Sequence, residues 1–173
     1  MTNPFEFYGI AQKFNVDQDL IKKRYYEIAK EYHPDFFMND EAAYAKALET
    51  TAANNKSFEI LADFEKRTAF ILEQNGLMKD ADNKLPMDFL LEMMEMNEAI
   101  DALKMHPDQK KLSALENDLE NLESRNLEQW HAAAHSFDQG IETLHNLEVI
   151  KDCHLKHKYF LRIKESLSTF ATP

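Results

Sequence analysis

Apolar residues recur at spacings of three and four along most of the chain, the period of α-helices buried on one face. In residues 17–32, Ile21, Tyr25, Ile28 and Tyr32 form such a stripe, Asp17 is placed to cap its start and Pro34 stops it. After a polar stretch holding Asn39 and Asp40, helical character resumes from about Glu41 to Leu61, with Tyr44, Ala47, Leu48, Phe58 and Leu61 as its apolar positions. These two helices can pair antiparallel across the connection. A shorter segment carries Phe64, Ala69, Phe70, Ile71 and Leu72 and ends at the stop signal Asn75-Gly76. Residues 77–86 (LMKDADNKLP) read as a linker whose Pro86 opens the next helix. Three further helices are predicted at about 87–104, 108–134 and 137–170. The first shows Phe89, Met93, Met96, Ile100 and Leu103 on one face, and the second Leu112, Leu115, Leu119, Leu122, Trp130 and Ala134. The third shows Phe137, Ile141, Leu144, Phe160, Ile163, Leu167 and Phe170, with Ser136 and Gln139 as a capping box. The expectation is an all-α chain: a helical hairpin with short flanking helices in residues 1–76, a linker at 77–86, and a three-helix bundle in 87–173.

Composition agrees with this reading and narrows the function. Three glycines and five prolines in 173 residues favour helices over turn-rich sheets, and 44% apolar residues suffice for a core. A net charge of -11 repels phosphate backbones, so neither nucleic-acid binding nor a polybasic membrane anchor is expected. The lone Cys153 excludes disulfides within the chain and four-cysteine metal or cluster sites, and reads as a half-buried thiol in a reducing compartment. With no basic and apolar leader pattern and no long apolar run, the expected location is cytoplasmic.

The tripeptide His33-Pro34-Asp35 sits at the turn of the first hairpin. Proline fixes the backbone there, so His33 and Asp35 project from a rigid turn and can each hydrogen-bond a partner. The exposed side of the preceding helix carries Lys22, Lys23, Tyr26 and Lys30, with Arg24 nearby, a basic surface on an acidic molecule and therefore suited to an acidic partner. A second copy, His106-Pro107-Asp108, follows the acidic NEAIDALKM and reads as a helix stop, with Pro107 beginning the next helix and Asp108 favouring its dipole.

A hairpin with this turn, read in IKKRYYEIAKEYHPDFF, NNKSFEIL and EKRTAF, resembles the J-domain family. The resemblance implies that His33, Pro34 and Asp35 switch on the ATPase of a DnaK-type chaperone. Family members often place basic residues where this chain has Tyr26 and Glu27, and a lysine where it has Phe36. Glycine/phenylalanine-rich and zinc-binding regions are missing. Together with FEFYGI, RTAFIL and PMDFLLEMMEMNEAID, the whole chain instead resembles HscB, the co-chaperone of iron–sulfur cluster assembly that brings an IscU-like scaffold protein to an HscA-type chaperone.

Helical projection gives separate support for a docking surface. Once Phe89, Met93, Met96, Ile100 and Leu103 face the core, Leu90, Leu91 and Met94 remain on the other side with Glu95, Asn97 and Glu98. The alternative is a helix buried on two faces or packed against the J-domain. The resemblance implies that Leu90, Leu91, Met94, Glu95 and Glu98 bind the scaffold, with Val149 of the last helix contributing. Asn97 stands where relatives often carry a basic residue.

Competing functions have less to rest on. His131 and His135, one helical turn apart, could belong to a helical metal-dependent enzyme, but without HExxH or an obvious third ligand no metal, cofactor or catalytic residue is assigned. His154 and His157 read as solvated or helix-end cations. No phosphate-binding glycine loop is present, so ATP hydrolysis is left to the partner. A J-domain co-chaperone for a different client is the remaining alternative.

Overall fold

Asp17 caps the first long helix, its carboxylate accepting from the Asp19 and Leu20 amides at 2.9 and 3.1 Å. A computed structural model of the chain describes residues 3–78 and 84–171, and every regular element in them is helical, as the stripes predict. The chain divides into two compact units, Met1–Asn75 and Gly76–Pro173. Residues 79–83 of the expected linker and the side chain of Phe170 lie outside the described residues.

The first unit contains α1 (Pro4–Tyr8), α2 (Gln18–Glu31), a 3₁₀ turn (Pro34–Phe37), α3 (Glu41–Ala62) and α4 (Phe64–Gln74). Helices α2 and α3 form an antiparallel hairpin whose register is written in three hydrogen bonds. Gln18 Nε2 donates to the Leu61 carbonyl at 3.4 Å, Asn54 Nδ2 to the Tyr25 carbonyl at 3.0 Å, and Thr51 Oγ1 to the Tyr32 carbonyl at 3.3 Å. Asn54 is fully buried and also accepts from the Tyr8 hydroxyl at 2.8 Å, so one amide joins α1, α2 and α3. Burial pushes the Tyr8 hydroxyl pKa well above its ordinary value. Asp63 ends α3 and caps α4 in one residue, and the buried Arg67 donates to the carbonyls of Phe14 (2.7 Å) and Leu61, which locks α4 beneath the hairpin. Around these polar ties lie Phe5, Phe14, Ile21, Leu61, Ile71 and Leu72, each nearly or fully buried; a side chain of this size contributes about 1.5–3 kcal/mol.

Two positions of the expected α3 stripe are on the surface. Tyr44 and Leu48 are 38% and 46% exposed, because α2 stops at Glu31 and the early part of α3 runs past it beside the 3₁₀ turn. Helix α1 is too short for a periodicity to announce it. Its ends are nonetheless in the sequence: Asn3 accepts from the Phe5 amide at 2.9 Å, Pro4 occupies the first turn, and Gly9 closes the helix at φ 64°.

The second unit contains α5 (Met87–Met105), α6 (Gln109–Asp138) and α7 (Thr143–Ala171). The α5 stripe is buried as predicted, Phe89, Met93, Met96, Ile100 and Leu103 being 2–7% exposed, and it packs with Leu112 and Leu119 of α6 and with Phe160, Ile163 and Leu167 of α7. Phe89 meets the Tyr159 and Phe160 rings edge to face at 5.9 and 5.5 Å.

The boundary between the last two helices differs from the expected one. Helix α6 continues through Asp138, so Ser136 and Gln139 form no capping box. Gly140 at φ 77° instead terminates α6, with its amide bonded to the Phe137 carbonyl at 2.8 Å and the Ile141 amide to the Ser136 carbonyl at 3.0 Å. Ile141 and Leu144 are consequently 56% and 80% exposed instead of lying on a core stripe.

The two histidines that follow the lone cysteine are buried or largely buried in the bundle and are not solvated. His154 is 1% exposed, not a solvated cation; its ring packs edge to face on Trp130 at 5.4 Å, and neither nitrogen has a hydrogen-bond partner. His157 is largely buried beside Glu123, 3.9 Å away. Cys153 is wholly rather than half buried, and desolvation pushes its thiol pKa up to about 12, which makes it unreactive.

Desolvation, reinforced by Lys158 and His157, holds the His154 pKa down at about 4. An imidazole that resists protonation in the folded state stabilises fully above its unfolded pKa of about 6.5 and loses that contribution as pH falls towards the folded value. Between pH 7 and 5 the loss should be about 2 kcal/mol. Chemical unfolding of wild type and His154→Phe at both pH values checks this: the wild type should lose that much more stability than the variant, and equal losses contradict it.

Candidate functional site

Pre-proline geometry places His33 in extended backbone (φ -66°, ψ 124°), and Pro34 turns the chain into the 3₁₀ turn. His33 Nδ1 accepts from the Asp35 amide at 3.4 Å, and the Phe36 amide bonds the His33 carbonyl at 3.0 Å. With Nδ1 acting as acceptor, the neutral ring carries its proton on Nε2, where it can donate outward. The His33 side chain is 53% exposed and that of Asp35 76%, the carboxylate lying 3.7 Å from Nδ1. Pro34 is half-buried and Phe36 exposed, its ring 5.6 Å from that of His33.

Lys22, Lys23, Arg24, Tyr26 and Lys30 are all exposed on α2. Tyr26 rests edge to face on Tyr25 at 5.4 Å, and Glu27 engages Arg24 at 3.2 Å and Lys23 at 4.0 Å. Surface pairs of this kind contribute about 0.2–1 kcal/mol and readily exchange for others. Lys22 and Lys30 enter none of the described ion pairs. The α2 face and the turn therefore offer cations, a phenol, an imidazole donor and a carboxylate to a partner.

The second tripeptide is built differently. His106 ends α5, and Asp108, not Pro107, starts α6: its carboxylate accepts from the Lys110 and Lys111 amides at 2.9 and 3.2 Å. Its hydrogen-bonding capacity serves the helix, whereas that of Asp35 faces solvent.

On α5, Leu91 and Met94 are 53% and 59% exposed and Glu95 and Glu98 are exposed beside them, so these four form one patch. The alternative of a helix buried on two faces does not hold. Met87, which the sequence reading left out, enlarges the patch at 71% exposed. Asn97 is exposed, and its side chain folds back along its own helix, Nδ2 donating to the Met93 carbonyl at 2.8 Å. Leu90 is half-buried at the α7 side, beside Leu155, Lys158, Tyr159 and Arg162, none of which the sequence singled out as a site. The contact of α5 with α7 begins near Lys156, whose ammonium lies 5.5 Å from the Phe89 ring centroid. Val149 is half-buried on α7, about two turns before Lys156.

His131 and His135 are both exposed, and among the described residues no group of three His, Cys, Asp or Glu side chains is placed to hold a metal ion. No helix in them is long and apolar enough to cross a membrane.

Comparison with known proteins places the chain in a family. Residues 3–70 match the DnaJ domain and residues 85–168 the HSCB C-terminal oligomerisation domain. The chain is 31% identical over 133 residues to the co-chaperone HscB homolog of Haemophilus ducreyi, covering 75% of this chain and 76% of that one. The chain belongs to the HscB co-chaperone family. HscB of Buchnera aphidicola is likewise 31% identical over 130 residues, 73% of this chain and 68% of that relative. The solved structure of HscB from Vibrio cholerae has the same fold, with a TM-score of 0.75 at 23% identity over 96% of each chain. So does human HscB, with a TM-score of 0.73 at 20% identity over 100% of this chain and 84% of that one. Membership makes the first unit a J-domain, whose partners are Hsp70-type chaperones.

The two aspartates should separate in a stability measurement. Asp108→Ala removes the α6 cap and should cost about 1 kcal/mol in urea unfolding, while Asp35→Ala, which removes no helix cap, should change stability by less than about 0.5 kcal/mol. Equal costs would place Asp35 in the framework instead of on a partner-facing surface.

Proposed function

We propose that this HscB-family chain couples two proteins. Its J-domain stimulates the ATPase of a DnaK/HscA-type chaperone through His33, Pro34 and Asp35, with Lys22, Lys23, Arg24, Tyr26 and Lys30 docking the basic α2 face on an acidic surface. Its C-terminal unit holds an IscU-like iron–sulfur scaffold protein on Leu90, Leu91, Met94, Glu95 and Glu98 and delivers it to that chaperone. Val149 of α7 adds to this surface in the same reading. The chain itself performs no catalysis in this account.

The observation that carries the reading is the contrast between the two aspartates of the repeated tripeptide: Asp108 uses its carboxylate to cap α6, whereas the Asp35 carboxylate, 76% exposed, faces solvent. A hydrogen-bonding turn held rigid by proline loses little entropy when it binds. Long-range attraction from α2 would speed the encounter, and the turn would supply the specific contacts. On α5, an apolar centre containing an adaptable methionine and rimmed by glutamates has the composition of a protein-binding surface.

Two measurements test the halves separately. His33→Gln should abolish stimulation of the partner chaperone's ATPase and His106→Gln should leave it intact; loss with His106→Gln alone overturns the assignment. Leu91→Ala/Met94→Ala should weaken scaffold binding by about 10–100-fold, as expected for two central apolar contacts, in isothermal titration. Undiminished affinity would give the C-terminal unit a different client.

A further inference from the structure

Between the start of α5 and the middle of α7 lies a groove of about 420 Å³. Leu85, Leu90, Leu155 and Tyr159 give it an apolar lining, and Lys84, Lys158 and Arg162 supply its charge. Among the described residues no carboxylate lines it. The Arg162 guanidinium lies over the Tyr159 ring at 5.7 Å, and none of the three cations enters an ion pair among the described residues. Lys158 and Arg162 stand one turn apart, a like-charge spacing that destabilises an exposed helix slightly unless an anion joins them. On a chain of net charge -11, three cations around one apolar groove are a local reversal of sign.

The other side of α5 has the opposite character. On that side, two adjoining depressions are bordered by Asp88, Glu92, Glu95 and Asp118, with Arg125 and Lys156 among them. Leu91 and Met94 lie on the ridge between the two sides. A protein lying across that ridge meets carboxylates on one side and cations on the other, so charge fixes which way round it sits.

We propose that the α7-side groove receives an acidic segment of the protein that covers Leu91 and Met94, with an apolar side chain against Leu90 and Tyr159 and its carboxylates on Lys158 and Arg162. Bidentate pairing makes Arg162 the stronger of the two cations for a carboxylate. This rests on the reading of α5 as a scaffold-docking surface and adds the chemistry of the partner and the part of α7 that meets it. The acidic border one helix width away and the charge of the whole molecule oppose a membrane or nucleic acid in the same place.

The probe is the purified IscU-like scaffold protein, titrated into the full chain. Lys158→Glu/Arg162→Glu should weaken binding by about tenfold or more, and the milder Lys158→Ala/Arg162→Ala by about threefold, while Lys110→Glu/Lys111→Glu, an equal charge change elsewhere in the unit, stays within about twofold. Carbodiimide coupling of the wild-type complex should join Lys158 or Lys84 to an Asp or Glu of the scaffold. If the groove variants bind like wild type while Leu91→Ala/Met94→Ala is weakened, or if coupling joins neither lysine, the acidic-segment inference is overturned and the docking reading stands. If wild type does not bind, or no variant changes binding, both are overturned. Binding to phosphatidylglycerol vesicles that only the groove variants lose, with scaffold affinity unchanged, assigns the groove to lipid and overturns the inference as well.

Discussion

One buried amide holds the N-terminal unit together. Asn54 takes a hydrogen bond from Tyr8 and gives one to the Tyr25 carbonyl, so α1, α2 and α3 meet at a side chain with no access to water. A buried polar group is costly when unpaired, about 1–3 kcal/mol, and that cost restricts the hairpin to the register in which Asn54 is satisfied. Thr51 repeats the tie nearer the tip, on the carbonyl of Tyr32, the residue immediately before His33. The tripeptide therefore leaves the hairpin from a fixed point, and Pro34 keeps that direction.

The C-terminal unit solves a different problem with one helix. Helix α5 carries two apolar stripes, and the bundle has room for one: Phe89, Met93, Met96, Ile100 and Leu103 fill the core, and Met87, Leu91 and Met94 stay outside. Exposed apolar side chains in one patch lower stability and solubility unless a partner covers them. Because the core stripe is packed on both α6 and α7, the outer stripe is presented on a rigid support. The division follows the two family matches, the DnaJ domain over residues 3–70 and the HSCB C-terminal oligomerisation domain over residues 85–168.

The parts of this design that were legible in the sequence are those set by periodicity and by unambiguous punctuation. The α2 and α5 stripes, the Asp17 cap and the different settings of the two tripeptides could all be read from residue order. Where two local signals competed, order was not enough. Ser136 and Gln139 read as a cap, but α6 continues through Asp138 and ends where the Gly140 backbone turns left-handed, a stop that the sequence reading did not use. His154 looked polar in sequence; only the fold shows Trp130 packed on its ring. The cations of the α7 groove were also hidden, since Lys84 and Arg162 are 78 residues apart in the chain and meet only when α5 lies against α7.

In the proposed function one chain joins chaperone activation to cargo delivery, and that coupling can be measured. Hydrolysis of ATP by the partner chaperone is followed while scaffold protein is titrated, with the full chain present as wild type or as Leu91→Ala/Met94→Ala. Delivery raises the effective concentration of scaffold at the chaperone, so the wild type should lower the scaffold concentration for half-maximal stimulation by about tenfold or more. The variant should keep its scaffold-free stimulation and lose that shift. A variant that shifts the titration as far as wild type does, or that loses scaffold-free stimulation as well, would contradict the account.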